Sequence, residues 1–169
     1  ADVYLNYFEL GRSCDEIRLL KKQERLVFVI LHWGGGSEGR YFPDWDQPKI
    51  ARQLIDSGAD FIVGHHSHTL QPYEIYKGKY IFYSLGNFCF DDIMFEGNII
   101  EIKKPSCTES VILNVIISKG SKINIELITI NKDSNLALYI DKNILNKFKR
   151  RQMLFKLIFS NKGFWILYF

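Results

Sequence analysis

Four histidines are the entire imidazole supply of this 169-residue chain, and all four fall in two short motifs. His32 stands in Leu31-His32-Trp33-Gly34, and the others stand in Gly64-His65-His66-Ser67-His68. Imidazole is the commonest neutral metal ligand and the side chain that titrates nearest physiological pH. Three imidazoles make most of a zinc, manganese or iron coordination sphere. Carboxylates usually complete such spheres, and Glu38, Asp44 and Asp46 are the nearest in sequence. On an extended backbone His66 and His68 share a face, while His65 points the other way. That direction leads toward a second metal, a substrate oxygen or a structural hydrogen bond. We therefore take His32, His66 and His68 as candidate metal ligands and His65 as the candidate catalytic residue. A metal there polarises a phosphoryl oxygen, and two ions about 4 Å apart stabilise both oxygens of an in-line displacement. The competing reading is that the histidines only hydrogen-bond loops in a structural domain.

The elements around the motifs bring them to one place. Each follows an apolar run, Leu26–Leu31 before His32 and Ala59–Val63 before Gly64. The first run is uniformly apolar, as expected of a strand buried on both faces. Between them lie the glycine-rich loop 34–39 and a helix over about 48–57, opened by Pro48 and closed by Gly58. Strand, loop, helix, strand is a βαβ unit with parallel strands. In such folds ligands bind at the carboxyl ends of the strands. Upstream, Val3–Phe8 reads as a strand, and Ser13 or Asp15 as the cap of a short helix running to about Glu24. Downstream, residues 73–83 read as a hairpin turning at Lys77-Gly78-Lys79, and 111–130 as a second hairpin turning at Lys119-Gly120-Ser121. If the first hairpin is antiparallel, Ser84-Leu85-Gly86-Asn87 returns beside the histidines. Ser84 and Asn87 are candidate substrate contacts, since their neutral donors and acceptors suit a phosphate or amide oxygen, and Glu38 is a third candidate contact. Asn and Gly are equally ordinary turn residues.

Composition narrows the class. The chain is about one domain long, and its 47% hydrophobic fraction excludes a disordered polypeptide. A net charge of +3 does not point to nucleic acid as a partner. Cys14, Cys89 and Cys107 are odd in number and widely spaced, which indicates neither a disulfide framework nor a thiolate zinc site. Cys89 reads as a small buried residue. The chain holds no run of eighteen apolar residues and no signal peptide, and it opens at Ala1 as if cut or processed. A helix begins near Asp141. The tail 142–162 carries seven basic side chains and no acidic one. With Met153, Leu154, Phe155, Leu157, Ile158 and Phe159 interleaved it resembles an interfacial segment that could touch a membrane surface, or a docked helix with a solvated basic face.

One pattern runs through His32-Trp33-Gly34, Pro43-x-x-x-Gln47, Leu54-Ile55-Asp56-x-Gly58-Ala59-Asp60 and Gly64-His65-His66-x-His68. It continues through Gln71, Glu74, Tyr76-Lys77-Gly78-Lys79 and Tyr83-Ser84-Leu85-Gly86-Asn87-Phe88. This resembles the bacterial CapA family of capsule and poly-γ-glutamate synthesis proteins, within the calcineurin-like metallophosphoesterase superfamily. The resemblance spans about residues 13–92. It implies a four-layer α/β/β/α sandwich, an α/β fold of which residues 1–134 look like the C-terminal half, followed by a basic extension over 135–169. It also implies two divalent ions (Mn, Fe or Zn), with ligand roles carried onto His32, His66 and His68. A register in which His65 and His68 form the pair stays open, because Gly64 is followed by two histidines. The implied partners are an anionic polymer or phosphoester substrate and other capsule-synthesis proteins, at the bacterial cell envelope. The alternative implied function is a non-catalytic assembly or binding factor. The Gly-Asp and Asn-His motifs of the superfamily's N-terminal half have no counterpart before His32. Alone, this stretch is expected to hold metal weakly and catalyse poorly.

Overall fold

The structure, a computed structural model, describes residues 8–160 apart from 91–92, 97, 102–104, 121, 134 and 136. The strand expected over 3–8 and the last residues of the basic tail lie essentially outside these.

The βαβ unit forms as expected. β1 (Phe28–His32) is followed by α2 (Gln47–Asp56) and β2 (Phe61–His65), and the strands pair in parallel. α2 has Pro48 in its first turn and buries Ala51, Leu54 and Ile55 on one stripe. The hairpin β3 (Tyr73–Tyr76) and β4 (Lys79–Phe82) completes a four-stranded sheet of order β1-β2-β4-β3, with β4 parallel to β2. β5 (Ile93–Phe95) and β6 (Asn98–Glu101) make a small ribbon. A long hairpin, β7 (Ser110–Ser118) and β8 (Lys122–Lys132), pairs at its far edge with β9 (Leu138–Ile140). The protein is thus a mixed α/β fold.

α1 (Leu10–Lys22) starts earlier than its expected caps. Glu9 occupies the cap position without a side-chain bond, so no capping residue marks the start. Its buried residues, Cys14 and Ile17, join Leu31, Ile62, Ile81 and the α2 stripe in one core on one face of the sheet. Among the described residues the other face of β1 is open, which corrects the expectation of a doubly buried strand. Ile30 is 73% exposed, because β1 is the sheet edge among the described residues and both helices cover the opposite face. Cys89 is exposed rather than buried, since the chain bends at the rim there instead of continuing a strand. Cys14 and Cys107 are the buried thiols.

α3 (Lys142–Ser160) docks on the domain. Ile144 and Phe148 enter a second core with Leu70 and Val111, and Phe155 enters the first. Burying such side chains stabilises by about 1.5–3 kcal/mol each. Glu109, 5% exposed, accepts from Lys147 at 2.7 Å and Arg151 at 2.5 Å, and Gln152 bonds both backbone groups of Tyr73.

At the end of the sheet away from the histidines, buried Asp60 accepts from Lys21 Nζ, Lys79 Nζ and the Val27 amide at 2.7, 2.7 and 2.9 Å. This one carboxylate ties α1, β1, β2 and β4 together. Burial alone raises its pKa, but the three donors outweigh burial and hold the carboxyl below its ordinary value. A depressed folded-state pKa contributes stability that is complete above the unfolded value of about 3.9 and is lost as pH falls through the folded one. Asp60→Asn is therefore expected to lower stability by about 1–3 kcal/mol at neutral pH. It is also expected to flatten the acid limb, as urea midpoints from neutral pH down through the carboxylate range will report. An unchanged acid limb would sink this assignment.

Candidate functional site

The parallel register sets His32 directly opposite His65 at the carboxyl ends of β1 and β2, and the Trp33 amide extends the pairing to the His65 carbonyl at 3.2 Å. Past His65 the chain cannot continue as a strand. His66 has φ 110° and His68 φ 59°, left-handed backbone that a β-carbon disfavours. The alternation that put His66 and His68 on a common strand face therefore does not apply. The residues meet by another route.

His66 Nδ1 lies 3.0 Å from His32 Nε2, the rings edge-on with centroids 4.9 Å apart. The His68 ring lies 6.4 Å from that of His66 and 5.0 Å from Phe90. His68 Nδ1 stands 2.8 Å from Asn87 Oδ1. An amide oxygen only accepts, so Nδ1 is the donor in this contact, and in the neutral ring Nε2 is then the free acceptor. Among the described residues Asn87 Nδ2 is buried without a partner, which costs about 1–3 kcal/mol and offsets the bond that its oxygen makes. His65 is half-buried. Burial, then the proximity of His32, lowers its pKa, so it is neutral at physiological pH.

The surrounding loops hold this shape through bonds between segments distant in sequence. Gly64 sits where an added β-carbon would overlap the Tyr83 carbonyl oxygen and the Trp33 indole nitrogen. Through that gap Trp33 Nε1 donates to Tyr83 O at 3.2 Å, and the two rings stack. The Gly39 amide donates to Ser67 O at 2.8 Å, the Thr69 hydroxyl to Arg40 O, and Gln71 Nε2 to Arg40 O and Phe42 O at 3.1 and 3.0 Å. Beneath lies a further network: Arg52 Nε and the Tyr83 hydroxyl each donate to Glu74, at 2.9 and 2.8 Å. Burial, then the Glu74 charge, pushes the Tyr83 phenol well above its ordinary value, so it remains a donor. Sequence reasoning gave Thr69, Gln71 and Arg52 no role. The available signal was a polar Thr and Gln flanking Leu70 in a buried stretch.

The remaining candidates separate. Leu70 bridges Leu85 and the Gln71 amide donates to Ser84 O at 3.1 Å, so the 84–87 segment does return beside the histidines. Asn87 joins the site. Ser84 is 2% exposed, and its hydroxyl accepts from the Gly86 amide within its own turn. Glu38 is exposed and bonds no histidine among the described residues. Asp44 accepts from the Gly36 amide at 3.0 Å and so braces the glycine loop.

Two imidazole nitrogens on one ion, with bonds of about 2.0–2.1 Å, sit roughly 3–3.4 Å apart. The His32–His66 separation, also that of an ordinary hydrogen bond between two imidazoles, falls within that spacing. Among the described residues no three His, Cys, Asp or Glu side chains are grouped to hold an ion.

The backbone at residue 66 offers a test of the loop geometry that is independent of chemistry. Holding a non-glycine residue at such a φ costs about 1–3 kcal/mol. His66→Gly is expected to unfold at higher urea than His66→Ala, by about 1 kcal/mol or more. Equal or reversed stabilities would refute the left-handed loop.

The pattern of the family described as "Bacterial capsule synthesis protein PGA_cap" matches residues 4–92, more than half of the chain. Over 71 residues the chain is 52% identical to the "PGA biosynthesis protein CapA" of Bacillus subtilis, covering 42% of this chain and 18% of that protein. It is 50% identical over 66 residues to the "Capsule biosynthesis protein CapA" of Bacillus anthracis, covering 39% and 16%. A "Probable polyglutamine synthesis accessory protein" of Mycobacterium tuberculosis is 38% identical over 71 residues, 42% of this chain and 18% of that protein. The chain thus matches less than a fifth of the length of each of these relatives. On the extent of the family match, the chain belongs to the bacterial capsule synthesis protein family PGA_cap.

Proposed function

We propose that this chain contributes part of a metallophosphoesterase-type metal centre to a protein of capsule or poly-γ-glutamate synthesis. The observation that carries this reading is the 3.0 Å approach of His32 Nε2 to His66 Nδ1, the separation of two ligands in one coordination sphere. His68, with its Nε2 lone pair left available by Asn87, is the third candidate donor. Metal-ligating histidines characteristically donate their other ring N–H to such a partner. On this reading the four-stranded sheet belongs to a four-layer α/β/β/α sandwich. The remaining ligands then come from outside the 169 residues, consistent with the small share of each relative that is matched.

A divalent ion (Mn, Fe or Zn), or a pair of them, supplies Lewis-acid polarisation of a phosphoryl or acyl oxygen. The chain's own residues do the rest. His32 and His66 fix the donor geometry, Asn87 sets the tautomer of His68, and His65, kept neutral by burial, can accept a proton at neutral pH. Substrate is an anionic polymer or phosphoester, and other capsule-synthesis proteins are partners.

A second reading, a non-catalytic assembly factor using the same cleft, draws on the accessory role in the name of the Mycobacterium tuberculosis relative. Calorimetric titration of the full-length gene product with Mn²⁺ and Zn²⁺, with p-nitrophenyl phosphate as probe substrate, separates the two. The proposal expects metal affinity to fall 10–100-fold or more in His66→Ala and His32→Ala, with phosphoester turnover falling in parallel. Metal binding without turnover would favour the assembly factor. No metal bound by the full-length protein would overturn the centre itself.

A further inference from the structure

Among the described residues α3 is docked along one stripe only. Ile144, Phe148 and Phe155 face the cores, while Arg151 and Lys147 reach Glu109. At 100° per residue the opposite arc carries Lys142, Lys149, Arg150, Met153, Leu154, Lys156 and Leu157. These are exposed residues, with Met153 at 60% and Leu154 at 47%. Met153 and Leu157 occupy the middle of the arc, Lys142, Lys149 and Lys156 one margin, and Arg150 and Leu154 the other. A solvated helix face needs no exposed Met and Leu grouped among four cations. No acidic residue occurs from Lys142 to Phe169, and the sequence ends Gly163-Phe164-Trp165-Ile166-Leu167-Tyr168-Phe169, with the Trp and Tyr that favour a membrane–water boundary.

We propose that the outward face of α3 lies on an anionic lipid surface, independently of the imidazole site. The apolar arc enters the headgroup boundary, and the flanking lysines and arginine keep their charges among lipid phosphates while their stems cover apolar surface. Among the described residues no helix is long and apolar enough to cross a membrane, so this face lies on the bilayer rather than spanning it. The lack of any acidic side chain on the helix selects an anionic lipid surface over a neutral partner groove. The proposal puts the four-stranded sheet on a helix whose other side is lipid, which holds this part of the protein at a membrane surface.

Co-sedimentation with phosphatidylglycerol–phosphatidylcholine vesicles, against phosphatidylcholine alone, tests this on the full chain. Binding is expected only to the anionic vesicles, weakening as salt rises. Replacing Lys149, Arg150 and Lys156 by Gln is expected to cost about fivefold per charge, on the order of a hundredfold together. Met153→Ser with Leu154→Ser should cost roughly tenfold. Both variants alter exposed positions, so unchanged urea midpoints serve as the folding control. Equal binding to neutral vesicles, no binding, or binding indifferent to these substitutions would overturn the proposal. So would a concentration-dependent dimer, seen by sedimentation, that the Met153 and Leu154 substitutions abolish, because the face would then be covered by a second copy.

Discussion

The parallel register of β1 on β2 is the constraint on which the rest depends. Because Phe28 pairs with Phe61, His32 must pair with His65, and both strands end at the same height. A slip of one residue would turn every side chain of β1 to the opposite face. Leu31 would leave the core beneath α1 and α2, and the His32 side chain would face the helices. The alternation of side-chain direction along β1 thus places the first imidazole on the face opposite the core. At the other end of the same strands, Asp60 and its two lysines fasten where the register begins.

The unit that positions the site was readable because its signals are local. Apolar runs, Pro48, Gly58 and a turn glycine define β1, α2, β2 and the β3–β4 hairpin to within a residue or two. What sequence could not show was how segments stand against each other. The run 26–31 announces a strand but not its neighbours, so the exposure of Ile30 was hidden. The left-handed turn at His66 is held by the Gly39 amide and by the straps from Thr69 and Gln71 to residues 40–42, about thirty positions away. Nothing in a five-residue motif records such bonds. The start of α1 had no capping side chain to announce it, and β9 is too short to stand out from its polar surroundings.

The two cores are not independent. Leu70, between the straps at Thr69 and Gln71, belongs to the core that Ile144 and Phe148 of α3 complete. Arg151 of α3 donates to the Leu70 carbonyl at 3.3 Å, and its guanidinium stacks over Tyr41 at 3.8 Å. The histidine loop therefore rests on a helix far away in sequence. Its geometry is a property of the folded domain rather than of the motif. Gly86 adds a third point of support, since an added β-carbon there would run into the Glu109 carbonyl where β7 begins.

The gap at Gly64 has a consequence for descent. The glycine is required because the Trp33 indole reaches the Tyr83 carbonyl across it, and that requirement makes no reference to the imidazoles beside it. A lineage that abandoned the chemistry of this cleft would still be held to Gly64, Trp33 and the backbone of Tyr83 by packing alone. His32, His66 and His68 would be free to drift, and at position 66 a change to glycine would also relieve the strained backbone. Among descendants of this domain the glycine and the tryptophan therefore record the packing, whatever residues stand at the histidine positions.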